Sequence, residues 1–366
     1  MRKNDAKSAN TQPQDGSQQG KQRVSKRPRR RATATQHSDL GEKLISGVPA
    51  RIMRPRLVFI FCLIAICSFG LLMVYSASAV EALQEEGSSY HYLVAQARFM
   101  AIGAVVVVLF TGRAIPGFPP WSMVWTAAWP SWLLIVILLV ATMFVGQGGE
   151  DWGANRWIYI GGFSLQASEF AKPVIVMVTA RLFSQYYEEC SLDTGRFIGL
   201  MACCLLIPAV LILRQPDMGT TVIILATVFA MCIIVGVSPR LLIGVVGFLA
   251  VAGLIAIVSS PYRLNRFLIA LNPWSDPWGD GYQATLAIMA FASGGLFGRG
   301  IGNSTMKYNY LPEAHNDYIL AIIGEEMGFV GTALFIIVFL LMLYAAFLIA
   351  RRAPTLHAQL LAAGCT

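Results

Sequence analysis

The sequence predicts an all-α polytopic membrane protein with a large extracytoplasmic loop, and three observations predict it. First, 56% of the 366 residues are hydrophobic and 13% are charged, with a mean hydropathy of +0.59. A soluble domain carries about 25% charged residues. Second, apolar runs near 20 residues long recur along the chain, the length a helix needs to cross hydrocarbon. Third, the positive charge is segregated. Residues 1–56 hold 14 Lys and Arg against 4 Asp and Glu, a surplus of +10, and the rest hold 14 against 16, so the net +8 arises in the tail.

That tail is rich in Gln, Ser, Lys and Arg and poor in aromatics, so residues 1–56 are expected to be disordered and cytoplasmic. Its run Lys26-Arg27-Pro28-Arg29-Arg30-Arg31 suits anionic head groups or a cytoplasmic partner, and equally a topology signal holding the N-terminus inside. Nucleic acid is not an expected partner, because membrane begins at Leu57. The apolar run also starts too late for a cleavable signal peptide. The remainder, 57–366, is expected to be one membrane domain.

Eight membrane helices are expected, at 57–79, 94–112, 127–146, 167–185, 197–214, 219–237, 240–259 and 327–349. With the tail inside, the inner loops carry Arg113, Arg181, Arg196, Arg240, Arg351 and Arg352, while the first outer loop carries Glu81, Glu85 and Glu86. Residues 260–316, between helices seven and eight, are too polar for lipid and fall outside, where function commonly sits. The seven cysteines form no C-x-x-C, and packed thiols are expected rather than disulfides or zinc. A last apolar run, His357-Ala358-Gln359-Leu360-Leu361-Ala362-Ala363-Gly364, stops at Thr366, so the sequence is expected to be truncated within a membrane helix.

Ionisable residues in or beside hydrocarbon are costly, so each is a functional candidate. Glu169 and Lys172 share one face of the fourth helix, either as a structural ion pair or as charges lining a cavity. Arg156, between Trp152 and Trp157, is an interfacial anchor or a phosphate clamp. Arg263 and Arg266 open the large loop as cations suited to a pyrophosphate. Asp276 and Asp280 follow in Asn272-Pro273-Trp274-Ser275-Asp276-Pro277-Trp278-Gly279-Asp280-Gly281, where Pro and Gly set the backbone. Such placement suits a general base, and it equally suits a carboxylate capping its own turn. The glycine-rich stretch 293–302 lacks a following G-K-[ST], so close backbone packing in a re-entrant segment is expected there instead of nucleotide binding. Glu313, His315 and Asp317 are potential metal ligands or helix-entry hydrogen-bonding residues.

Taken together, these stretches resemble the SEDS family (FtsW, RodA and the sporulation homologue). The resemblance spans residues 54–352 in ordered blocks: Leu72-Met73-Val74-Tyr75-Ser76-Ala77-Ser78, then 153–172, Gln215-Pro216-Asp217-Met218-Gly219-Thr220-Thr221, 272–283 and 311–331. The Leu311-Pro312-Glu313-Ala314-His315-Asn316-Asp317 wording and the basic tail are closer to FtsW than to RodA. The resemblance implies ten membrane helices, eight of them visible here, and a peptidoglycan glycosyltransferase using lipid II. It maps the family's essential loop aspartate onto Asp276, as base or as the group orienting acceptor or cation. Glu169 and Lys172 match its cavity-lining charges; Arg156, Arg263 and Arg266, with His315 and Asp317, complete the substrate-binding candidates. A divalent cation (Mg or Mn) is the only cofactor this reading admits.

The implied partners are a class b penicillin-binding transpeptidase and other divisome membrane proteins. The implied location is the plasma membrane at the division septum. Ala167 stands where the family usually has Pro, and Asp280 where a small residue is usual. A lipid II flippase and a non-catalytic division scaffold are the competing readings. A flippase needs charges through the midplane and openings on both faces.

Overall fold

Charged and small residues decide where these helices begin and which faces they bury. The computed structural model describes residues 44–45, 48–110, 120–146, 156–160, 163–308 and 310–366, all within one compact unit, Gly41–Thr366. The run 26–31, Arg113 and Trp152 lie outside the described residues.

In chain order, β1 (Leu44–Ile45) and β2 (Val48–Pro49) pair antiparallel and lead into α1 (Ala50–Glu85). α2 (His91–Phe110) and α3 (Pro120–Val145) follow. A β-hairpin of β3 (Trp157–Ile160) and β4 (Phe163–Gln166) precedes α4 (Ala167–Tyr187), α5 (Thr194–Arg214), α6 (Met218–Val235) and α7 (Pro239–Val258). Next come α8 (Pro261–Leu271), a 3-10 turn (Pro273–Ser275), α9 (Tyr282–Gly294), α10 (Ile319–Arg351) and α11 (Leu356–Gly364).

All eight expected spans are helices, with four corrections. α1 starts at Ala50, so the tail boundary at 56 falls inside a helix. Arg is a strong helix former, and helix does not wait for the apolar run to begin. α10 starts at Ile319, eight residues before the expected start, because its first part is broken from the rest at Gly328 (φ 67°, ψ −169°). The segment 260–316, expected as an outer loop, is largely helical through Gly294. Finally, two short antiparallel pairs interrupt the all-α expectation; the second joins Trp157↔Gln166 through Ile160↔Phe163.

Six of these helices are long and apolar enough to cross a membrane: α1, α2, α3, α5, α6 and α10; α7 has a shorter apolar stretch. Its Leu241, Ile243 and Phe248 point outward, as lipid-facing side chains do. α4 is different because it is the hub. It buries Ala171, Ile175, Val178 and Leu182 against α3, α5 and α6, and Val176, Ala180 and Phe183 against α6 and α11. Lipid is as apolar as leucine, so helices in it associate through close packing of small residues. The α9–α10 seam shows this: a Cβ on Gly294 would lie 2.0 Å from the Gly324 carbonyl oxygen, and one on Gly324 would lie 2.2 Å from the Phe291 ring.

Candidate functional site

Asp276 is exposed at the tip of a turn that its own side chain closes. The Gly279 N–H donates to Oδ1 at 3.0 Å and the Asp280 N–H to Oδ2 at 3.1 Å. The Gly281 N–H donates to the Asp276 carbonyl at 3.0 Å, completing the loop. Both glycines are required. A Cβ on Gly279 would lie 2.2 Å from Asp276 Oδ2, and one on Gly281 would lie 2.2 Å from the Pro273 carbonyl. The carboxylate is thus held in one orientation by backbone, which joins the capping reading to the positioned-acid reading. Beside it, Asn265 of α8 donates to Asp280 Oδ2 at 2.6 Å, tying the turn to the helix that carries Arg263 and Arg266. Arg266 lies over the Tyr262 ring at 5.0 Å, and Trp274 and Trp278 flank the acid, the latter 87% exposed.

A second group gathers at the start of α4. Lys172 and Glu169 form an ion pair at 2.7 Å, and both are partly exposed. Glu169 lies in the first turn, where the helix dipole favours an acid. Lys172 also lines a cavity of about 330 Å³ whose walls include Pro173, Ile223, Thr227 and Thr366. Arg156 donates from Nε to the Gln215 carbonyl (3.0 Å) and from Nη2 to the Pro216 carbonyl (2.8 Å), so it clasps the hairpin to the α5–α6 turn. Asp217 caps α6 through the Thr220 N–H (3.0 Å) and accepts from Ser168 of α4 at 3.3 Å.

His315 is buried, pairs through Nδ1 with Glu81 Oε2 at 3.0 Å, and stacks against Tyr92 at 4.4 Å. It fastens the segment before α10 to the end of α1. Asp317, two residues on, is exposed. Asn316 bonds Glu313 at 2.7 Å, and Glu313 adopts φ 54°. No hydrogen bond or ion pair among the described residues joins Asp276 to Arg156, Glu169, Lys172 or His315, so these are separate stations, not one cluster.

A family profile for cell cycle proteins of the FtsW, RodA and SpoVE type matches residues 56–366. The chain belongs to this family. The probable peptidoglycan glycosyltransferase FtsW of Trichlorobacter lovleyi is 35% identical over 317 residues, covering 86% of this chain and 81% of that one. Stage V sporulation protein E of Bacillus subtilis is 34% identical over 320 residues, covering 85% and 83%. Among solved structures, a peptidoglycan synthase complex described as coordinating polymerization and crosslinking superposes with a TM-score of 0.65 at 25% identity, covering 84% of this chain and 81% of that one. RodA of Thermus thermophilus, at 22% identity and a TM-score of 0.55 over 84% and 79% of the two chains, shares the fold.

In this member of the family the most completely bonded charges lie within the block 311–331 but are not among its expected site residues. Glu325 and Glu326 are 0% and 1% exposed. Glu325 accepts from Thr305 Oγ1 (2.6 Å), Ser304 Oγ (2.5 Å) and Arg299 Nη1 (3.2 Å), and from the Thr305 N–H at 3.1 Å. Glu326 accepts from Ser76 Oγ at 2.7 Å and faces Lys307 Nζ at 3.5 Å. Two buried acids thus meet two cations, and hydroxyls and backbone amides fill the remaining lone pairs, the condition a buried charge requires. The glycine-rich stretch packs onto them as the glycines predict. Gly300 N–H donates to the Glu326 carbonyl at 2.9 Å, and a Cβ on Gly298 would sit 2.2 Å from that same oxygen. Adjacent acids inside an otherwise apolar helix were the available signal; their partners, up to 250 residues away, were not.

Proposed function

We propose that this chain is a peptidoglycan glycosyltransferase that polymerises lipid II during septal wall synthesis, with its N-terminus cytoplasmic and residues 260–316 on the outer face. The observation that carries the site is the backbone-held, exposed carboxylate of Asp276. In the reaction the sugar 4-hydroxyl of one lipid-linked disaccharide attacks the anomeric carbon of another. Undecaprenyl pyrophosphate leaves with inversion. Asp276 accepts the hydroxyl proton or orients the acceptor, and two N–H bonds hold it for that task before substrate arrives, the preorganisation a general base needs.

Arg263 and Arg266, on the helix tied to this turn through Asn265, offset the pyrophosphate charge. Glu169 and Lys172 present a charged patch to the polar part of the substrate. Arg156 acts by holding the hairpin in place, since Nε and Nη2 are occupied by carbonyls. His315 orders the approach to α10 through Glu81, and Asp317 remains exposed for substrate.

Magnesium binds through one or two carboxylates plus substrate phosphates, so Asp276 and Asp280 fit an Mg²⁺ or Mn²⁺ that offsets pyrophosphate charge. A class b penicillin-binding transpeptidase, cross-linking the strand as it forms, and other divisome membrane proteins are the proposed partners. The related synthase complex described for polymerization and crosslinking supports the first.

The test uses full-length protein co-purified with its transpeptidase, incubated with lipid II and a divalent cation, with products resolved on a gel. A glycan ladder that vanishes in Asp276→Ala while the complex still assembles is expected. No ladder from well-folded complex would favour the flippase or scaffold; a ladder surviving the substitution would remove Asp276 from the site.

A further inference from the structure

A cavity of about 210 Å³ lies between the first turns of α1 and the elbow where α10 turns into α11. Its walls are apolar, with Ile52, Pro55, Ile349 and Pro354 prominent, and its lining includes two cations, Arg56 and Arg352, and no acid. At roughly 30 Å³ per water, this is room for about seven waters. Both guanidiniums are exposed, and among the described residues neither lies within ion-pair distance of a carboxylate. The neighbouring acid, Glu188, is engaged, accepting from the Leu356 N–H at 2.8 Å and from Ser184 Oγ at 3.0 Å. Arg351 lies over the Phe347 ring at 5.7 Å.

We propose that this cavity binds the head group of an anionic phospholipid, phosphatidylglycerol in type, bridging the start of α1 to the α10–α11 elbow. Two guanidiniums that meet no carboxylate among the described residues offer the planar donor forks that phosphate oxygens accept. The apolar walls are what a free phosphate cannot use and a lipid can. The site depends on the chain lying in a membrane, not on Asp276 or on which face is inward.

The experiment titrates full-length protein in detergent with phosphatidylglycerol, phosphatidylcholine or inorganic phosphate, reading bound ligand by native mass spectrometry. Each arginine near a membrane surface contributes enough that removing both costs roughly 30-fold in affinity. Wild type is expected to prefer phosphatidylglycerol over the other two. Arg56→Ala/Arg352→Ala is expected to lose that preference, Arg56→Lys/Arg352→Lys to keep part of it, and Arg240→Ala, in the first turn of α7, to match wild type. Equal binding of the two phospholipids, phosphate binding as well as phosphatidylglycerol, or full binding by the double alanine variant would each overturn the site. Should the alanine variant misfold, the three wild-type titrations still decide the matter.

Discussion

At the scale of single residues, the site depends on atoms that are absent. Gly279 leaves the space that Asp276 Oδ2 occupies, so Gly279→Ala must displace the carboxylate without touching the core. The expected outcome is a loss of polymerisation approaching that of Asp276→Ala, with a thermal midpoint changed little because the turn is exposed. A ladder of normal intensity from Gly279→Ala would mean the carboxylate's orientation is immaterial. Glu326 behaves in the opposite way. Glu326→Gln leaves Lys307 buried without its counter-charge, a change that costs about 3–5 kcal/mol. Unfolding in detergent should move down accordingly, and Lys307→Met added to Glu326→Gln should recover part of the loss; unchanged unfolding would show the pair contributes nothing. The turn around Asp276 was legible in the sequence because Pro and Gly crowd around it, whereas the choice between a turn cap and a base was not, and rests on the family resemblance. Ser76 was not legible, because its partner is 250 residues away.

At the scale of elements, α10 is two helices joined by a residue that only glycine suits. Gly328 has φ 67°, and a Cβ there would lie 2.3 Å from the Gly298 amide nitrogen. Gly328→Ala is therefore expected to separate the glycine-rich stretch from α10, destabilise the protein by more than 2 kcal/mol and abolish activity. Thermal unfolding and the ladder assay measure this together, and a stable, active Gly328→Ala would show that the packing tolerates a methyl group. The apolar runs located a helix at each of the eight expected positions, and six of these helices are long and apolar enough to cross a membrane. The broken start of α10 was hidden, because Gly324-Glu325-Glu326-Met327-Gly328 reads as a polar boundary when its buried partners are unknown. The hairpin at 157–166 was missed for a related reason. Its strands of four residues adjoin an apolar helix, and Gly161-Gly162 between them is a turn signal that sequence reading passed over.

For the whole molecule, helix parity makes orientation testable with a thiol already present. Cys190 is exposed in the turn between α4 and α5, which the proposed topology puts on the face opposite the Asp276 turn. A membrane-impermeant maleimide applied to intact spheroplasts is expected to label Ser275→Cys and to spare Cys190 until the membrane is opened. Labelling of Cys190 first would invert the proposed topology. The proposed orientation rests on the positive-inside pattern, because arginine-rich loops resist translocation. What the pattern could not give is how the helices gather around α4, since hydropathy records contact with lipid and not contact with protein.

The hub position of α4 has a consequence for how the protein is made. Of the eight helices at the expected positions, it alone is neither long and apolar enough to cross a membrane nor carries a shorter apolar stretch, because its small and polar side chains face other helices. Entry into the bilayer from the translocon is governed by a segment's own hydrophobicity. α4 should therefore insert poorly as an isolated segment and efficiently once α3, α5 and α6 accompany it, which a glycosylation-mapping assay on the two fusions would read. Biogenesis would then hold α4 at the channel until its neighbours emerge, so that the helix that organises the finished bundle is among the last to be released into lipid.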